Sequence, residues 1–275
     1  MFVIIDCFSY FNEKELLELR LKMLYDHVDL FVITEGSHTH KGIRKEFTCE
    51  KIIDDLRIPK EKIKVAPVYM PSYEFEKNPW VRERMQRDAA AAFIGDDDIA
   101  FVSDCDEIIN PKYLSYYASV AKNNPHNILR VPLAFLCSRA DFRVYNEHGH
   151  PVMWNAPFMC SGKQIKKYTL SQIRESHALE LNNLEYEDIY AVDNGVVEDA
   201  GWHFTWMGDF ERLKTKQDHF LHWDEVTVQN GYSPEEGKTD LLGRKNHILR
   251  KYDRSKLPEE VFDIGNTRKF LFQEI

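Results

Sequence analysis

A chain of 275 residues that is 43% hydrophobic and 13% aromatic is long and apolar enough to bury a core, which excludes a disordered chain. Its 36 basic residues stand against 45 acidic ones, giving a net charge of −9, with the acids spread along the sequence, so a generic polyanion binder is excluded as well. The five cysteines, Cys7, Cys49, Cys105, Cys137 and Cys160, form no CxxC pair and are odd in number, which predicts reduced thiols and, with them, a cytoplasmic location.

The apolar start, Phe2 to Ile5, stops at Asp6. It is too short for a signal-peptide core or for the ~20-residue run of a membrane span. It reads instead as a first buried strand whose carboxyl end points an acid into a crevice. Asn12 and Glu15 have capping-box spacing, and Leu17, Leu21, Leu24 and Val28 then recur at helical spacing. A second strand is expected from Leu30 to Thr34, with the polar loop Glu35 to Gly42 at its end, where α/β sheets bind ligands.

Lys62 to Val68 reads as a third strand. Asn78 as cap and Pro79 at the first helical position open a helix expected to run to Gly95. Asp98 to Ser103 is the fourth strand, Asp104-Cys105-Asp106-Glu107 follows directly, and Pro111 starts another helix. The alternation predicts an α/β fold with a Rossmann-like, mainly parallel central sheet flanked by helices. From about Asn127 to Gly162 the runs are short, β-like and aromatic, and after Gly201 the pattern turns helical and charged. No linker or repeat intervenes, so one domain, 1–275, is expected, with a first half at 1–110 and a second half ending in C-terminal helices at 111–275.

Two carboxylates one residue apart can reach one hard cation, and a diphosphate needs such a cation as a sugar bond breaks. Asp104 and Asp106 sit at a strand end, where that chemistry belongs. Asp96-Asp97-Asp98 has the same spacing but reads as a solvated turn. His203, inside Gly201-Trp202-His203-Phe204-Thr205-Trp206, could complete the coordination of manganese. Arg82, Arg84 and Arg87 share a helix just upstream of the acids and could pair with phosphate or with Asp104 and Asp106. Lys214 and Lys216 could add charge at a diphosphate. GxSxG, HExxH, P-loop and GxGxxG patterns do not occur, which sets aside nucleophilic hydrolases and dinucleotide oxidoreductases.

Several blocks in order resemble glycosyltransferase family 17, the β-1,4-mannosyl-glycoprotein β-1,4-N-acetylglucosaminyltransferase-like family of the GT-A superfamily. They are Asp6-Cys7-Phe8 with Phe11-Asn12-Glu13, Leu19-Arg20-Leu21, Val28-Asp29 to Glu35, Lys41-Gly42, Arg82-Glu83 with Gln86-Arg87, Ser103 to Ile108, and Gly201 to Phe204. The resemblance implies a GT-A fold with a smaller β-rich acceptor-side part, and an inverting transfer from a UDP-sugar, usually UDP-N-acetylglucosamine, to a hydroxyl of a glycan or other acceptor. It implies a divalent metal, Mn2+ or Mg2+, on Asp104, Asp106 and His203, and places Asp6, Cys7, Phe8 and Glu35 near the nucleotide. The segment from Leu133 to Gln164 departs from the glycoprotein-modifying members, which leaves the acceptor open.

The reaction expected is direct displacement at the anomeric carbon, with Asp141, Glu198 or Asp199 taking the acceptor hydroxyl's proton. Three other readings stay open. Modified, hydroxymethylated DNA bases are one acceptor class, in which nucleic acid is the partner. A metal-dependent phosphoester hydrolase would use a second metal set. A binding module without turnover would stack sugars on Trp154, Trp202, Trp206 and Trp223.

Overall fold

The computed structural model describes residues 2–176, 189–191, 199–219 and 232–273. The first strand, β1 (Ile4–Tyr10), runs straight through Asp6. The run does not end at the acid because Asp6 is neutralised inside the protein by Arg20. Helix α1 (Lys14–Leu24) starts later than the Asn12–Glu15 box predicts. Glu13 occupies the N-cap, its carboxylate accepts the N–H groups of Phe11 and Asn12, and Glu15 pairs with Arg212 instead.

Strand β2 (Leu30–Gly36) follows, then α2 (Cys49–Leu56), which lies where no helix is predicted, and β3 (Ile63–Val68). Helix α3 (Pro79–Asp88) opens as expected, with the Asn78 side chain accepting from Trp80 N–H. It tightens into a 3-10 turn, Ala89–Phe93, instead of continuing to Gly95. Strand β4 (Ile99–Asp104), the three-residue β5 (Glu107–Ile109) and α4 (Pro111–Asn123) complete the first half.

The second half contains β6 (Ile128–Arg130), β7 (Leu133–Cys137), β8 (Phe142–Tyr145), β9 (Met153–Trp154) and β10 (Phe158–Ser161). Helices α5 (Gly162–Lys167) and α6 (Leu170–Glu175) come next, then β11 (Ile189–Ala191). Gly201–Thr205 is a strand, β12, where the sequence predicts helix, because its side chains are buried on both faces between two other strands. The C-terminal part has α7 (Phe210–His219), one further strand β13 (Ile248–Lys251), α8 (Glu260–Asp263) and α9 (Gly265–Phe272).

Seven strands form one sheet in the order β11-β6-β10-β4-β1-β2-β3. β3, β2, β1 and β4 are mutually parallel, and β10 enters antiparallel between β4 and β6. Alternation sorts the side chains: Ile5, Cys7, Ala100 and Val102 face one core, with the 3-10 turn and α6, while Phe8, Tyr10, Ile99 and Phe101 face the other, with α1 and α4. Each fully buried Leu, Ile or Phe in these cores contributes about 1.5–3 kcal/mol. The second sheet runs β13-β8-β7-β12-β5, with β9 added on β7. All five cysteines are buried and unpaired, as the odd count predicts. Among the described residues no helix is long and apolar enough to cross a membrane.

Candidate active site

The chain changes sheets at the acidic motif. β4 ends at Asp104 in the first sheet, and Glu107 opens β5 in the second, so Cys105 and Asp106 form the step between them. Arg20, fully buried on α1, fixes that step from below. Its Nη1 donates to the carbonyls of Asp104 and Glu107, at 2.8 Å each. Its Nε and Nη2 grip Asp6 at 2.8 and 2.5 Å, and Nη2 also reaches Ser103 Oγ at 2.6 Å. With the backbone held in this way, Cys105 packs into the core while Asp104, Asp106 and Glu107 line a cavity of about 520 Å³.

The cavity joins the two sheets. Ser9, Tyr10, His38, Thr39, His40, Gln86 and Arg87 line it from the first, and Phe135, Trp154, His203, Thr205 and Trp206 from the second. The register opposes His203 to Glu107, and the Phe204 N–H donates to the Asp106 carbonyl at 2.8 Å, so the histidine is held beside the acids. Its ring stacks on Phe135 at 5.3 Å and 16° and lies 4.7 Å from Trp154. Its buried Nδ1 has no hydrogen-bond partner among the described residues.

Three cations and a histidine surround the carboxylates. Lys216 Nζ lies 3.0 Å from Asp106 Oδ2, and His203 Nε2 lies 3.6 Å from Asp106 Oδ1. Arg174 donates to Asp104 at 2.7 Å and to both oxygens of Glu107 at 2.7 Å, while Arg87 bonds Glu83 at 2.5 Å and stands 3.4 Å from Asp104. Glu107 also accepts from Asp104 N–H at 2.7 Å and from Trp154 Nε1. Burial pushes the Asp106 carboxyl up, but Lys216 and then His203 outweigh it and hold the group well below the usual carboxylate range. Asp104 is likewise raised by burial and brought below its ordinary value by Arg174 and Arg87. Burial lowers Lys216, yet Asp106 and Glu13 raise it overall, and Asp104 and Glu107 do the same for Arg174. Glu13, also on the cavity wall, goes the other way: burial leaves its carboxyl above the ordinary value against the pull of Lys216.

Asp106, Glu107 and His203 each offer a ligand atom within 4.8 Å of the others, a group that could hold a metal. A mixed carboxylate and imidazole set suits a borderline ion, and the unpartnered His203 Nδ1 fits a ring with a lone pair to offer. This group shares Asp106 and His203 with the expected set and contains Glu107, whereas Asp104 is not part of it.

Several expected site residues are elsewhere. Asp6, Cys7 and Phe8 are inside the sheet, with Asp6 committed to Arg20, Cys7 in one core and Phe8 in the other. Glu35 is buried and structural: it bonds Lys45 at 2.7 Å and the N–H groups of Thr48 and Cys49, at the start of α2. Arg82 holds the carbonyls of His40 and Glu76, so it shapes a loop at the cavity without lining it. Arg84 pairs with Glu175 and not with Asp104 or Asp106. Lys214 pairs with Asp218 on the outside of α7. Asp141 lies among Arg139, Lys251 and Arg254, and Asp199 is bidentate to Arg143; neither lines the cavity. Glu198 and Trp223 lie outside the described residues. Asp96-Asp97-Asp98 is the expected turn, tied down by Lys163 and Lys166.

The cavity also holds residues that sequence reasoning missed, chiefly Arg174, Glu13, Glu83 and Glu107. Arg174 had one readable signal, the capping box of Thr169 and Gln172 that starts its helix. Its placement depends on Arg130, whose buried guanidinium bonds the Ile173 carbonyl at 2.6 Å and Ser176 at the end of α6.

Residues 3–130 match the model of glycosyltransferase family 17. The match therefore runs from the start of the parallel sheet to the end of β6, taking in Arg20, Arg87 and the acidic step but stopping before Arg174, His203 and Lys216. A comparison with curated proteins finds no match. Among solved structures the chain is similar to 4-diphosphocytidyl-2C-methyl-D-erythritol synthase, at 13% identity and TM-score 0.40 over 72% of this chain and 96% of that one. It is similar to mannose-6-phosphate isomerase from Helicobacter pylori at 12% and 0.39, over 72% and 90%, and to S. aureus TarS 1–349 at 12% and 0.38, over 60% and 48%. These likenesses are too distant to carry weight. The family match, with an α/β sheet of the expected kind and a polar cavity at its carboxyl edge, makes the protein a glycosyltransferase. The likeness to glycosyltransferase family 17 is that of residues 3–130, just under half of the chain.

Proposed function

We propose that the chain transfers a sugar, N-acetylglucosamine in the first instance, from a UDP-sugar to a glycan hydroxyl with inversion, and that it uses a divalent cation, manganese or magnesium. One observation carries the reading: acids from the end of one sheet and a stacked histidine from another share one cavity with Arg87, Arg174 and Lys216. The size suits a small organic ligand, and the polar and aromatic walls suit its two ends.

Asp106, Glu107 and His203 would hold the cation, which supplies neutralising charge for a departing diphosphate. The chain's own cations serve the same end. Arg174 and Arg87 present planar donors suited to phosphate oxygens, and Lys216 adds a mobile charge. Trp154 and Phe135 fix the His203 ring by stacking and give an acceptor sugar an apolar face. Glu13 becomes the base in place of Asp141 and Asp199, because it lines the cavity and burial keeps its carboxyl basic enough to take a hydroxyl proton.

The test is calorimetry of UDP with and without manganese, on the wild type and on Asp106→Ala. Manganese-dependent UDP binding that disappears in the variant is the expected result. Absence of UDP binding in every condition would sink the reading.

A further inference from the structure

Among the described residues, four of the exposed aromatics lie on two loops. Phe47 sits on the loop after β2, and Tyr69, Tyr73 and Phe75 on the loop after β3; Tyr69 is 78%, Tyr73 54% and Phe75 86% exposed. Ile43 is exposed beside them. The loops are built against each other. Ser37 N–H donates to the Val68 carbonyl, Met70 N–H to Ser37 Oγ, and Tyr73 N–H to the Gly42 carbonyl. Gly42 has φ +83°, and a Cβ there would lie 2.4 Å from Tyr73 N, so only glycine permits this approach. The Phe47 and Tyr69 rings meet edge-on at 5.6 Å, and Lys77 Nζ lies 3.9 Å from the centre of the Tyr73 ring.

Two features identify what would cover this shelf. The first is continuity: His38, Thr39 and His40 on the first loop, and Trp80 just beyond the second, line the cavity. The loops thus present one set of side chains to the reaction centre and another to solvent. The second is charge. The exposed charged residues of the two loops are Arg44 and Lys77 against Glu46 and Glu74, which cancel. An anionic lipid surface or a nucleic acid selects a basic excess. An uncharged sugar chain selects flat aromatic faces for its C–H surfaces and phenolic hydroxyls for its edges.

We propose that these loops form a subsite for the units of an uncharged oligosaccharide acceptor that lie beyond the unit reacting in the cavity. The assignment rests on the transfer reading above. It makes the acceptor an extended saccharide and gives the enzyme a preference for chain length that the cavity alone would not supply.

The test is calorimetry and saturation-transfer NMR with chito-, malto- and manno-oligosaccharides of increasing length, on the wild type and on a Tyr69→Ser/Phe75→Ser variant. Both side chains are solvent-exposed, so the variant folds. One of these series should bind the wild type more tightly as the chain lengthens, and the variant should lose that gain, binding the longest chains about tenfold more weakly with UDP binding unchanged. Equal binding by both proteins overturns the proposal. So does a wild type that binds UDP but none of the sugar chains, which leaves the transfer reading intact. A variant that instead loses association with phosphatidylcholine/phosphatidylglycerol vesicles, or loses self-association, reassigns the shelf and also overturns it. Length-dependent sugar binding that the variant loses, in a protein that binds no UDP, upholds the shelf and removes the transfer reading.

Discussion

The two sheets reach the acidic step by different routes. In the first, β1, β2, β3 and β4 pair in parallel through short helical crossovers; β1, β2 and β4 are buried on both faces, and only the edge strand β3 is partly exposed. In the second, β12 pairs with β7 and with β5, three stretches remote from one another in sequence, and the inner surface is aromatic. The first sheet fixes where Asp104 and Asp106 stand; the second brings His203 and Trp154 to them. Neither half makes a site alone, and the chain joins them at Cys105-Asp106.

That comparison breaks most severely at Arg20. Its guanidinium is fully buried and serves Asp6, Ser103 and the two carbonyls that bracket the step. Arg20→Met leaves Asp6 as an unpaired buried charge and the carbonyls without donors. The expected loss of folding stability is about 3–5 kcal/mol, measured by urea unfolding. A loss below about 1 kcal/mol, the value of an exposed pair, would mean that the step is held by the sheets alone.

Glu13 sharpens the comparison on the chemical side, since it stands at the start of α1, in the first half, facing Lys216 from the second. Glu13→Gln should slow transfer by about 10²-fold with donor affinity preserved. The pH dependence has a definite sign. The folded carboxyl is raised by burial against the pull of Lys216, and a base works ionised, so the rate climbs as pH rises through that raised value. For the same reason protonated Glu13 favours the folded state, and this contribution is lost as pH rises through the folded pKa. The variant should show neither effect; an unchanged rate and acid limb would move the base elsewhere.

What the sequence revealed follows the same division. Strand ends at Val68 and the Asn78-Pro79 helix start were readable because caps and apolar runs are local. So was the acidic motif at a strand end. Asp6 was misread because an apolar run ending in an acid looks alike whether the acid faces solvent or a buried arginine; only the fold brings Arg20 beneath it. Glu35 failed for the same reason, being buried against Lys45 and the start of α2. β12 looked helical because strand alternation is invisible when both faces are buried. For Arg174 only the start of its helix is readable, since the partners Asp104 and Glu107 meet it through the fold and not through the chain. Asp141 and Asp199 were chosen by chain position, and each has its own arginine partners away from the cavity.

The smallest effect separates two lysines on one helix. Lys214 and Lys216 are two residues apart on α7 and so point to different faces. Lys214 forms an i,i+4 pair with Asp218 at 2.5 Å in solvent, whereas Lys216 reaches across to Asp106 at 3.0 Å. An ammonium on Asp106 competes with any cation for that carboxylate while adding positive charge for a diphosphate. Removing it should therefore act in opposite directions on the two ligands. Lys216→Met should tighten manganese binding and weaken UDP binding measured without metal, each by about tenfold, and Lys214→Met should change neither. If both ligands weaken together, Lys216 supports the fold of the cavity rather than competing within it; if Lys214→Met has the same effect, the contribution is general surface charge, which added salt would screen.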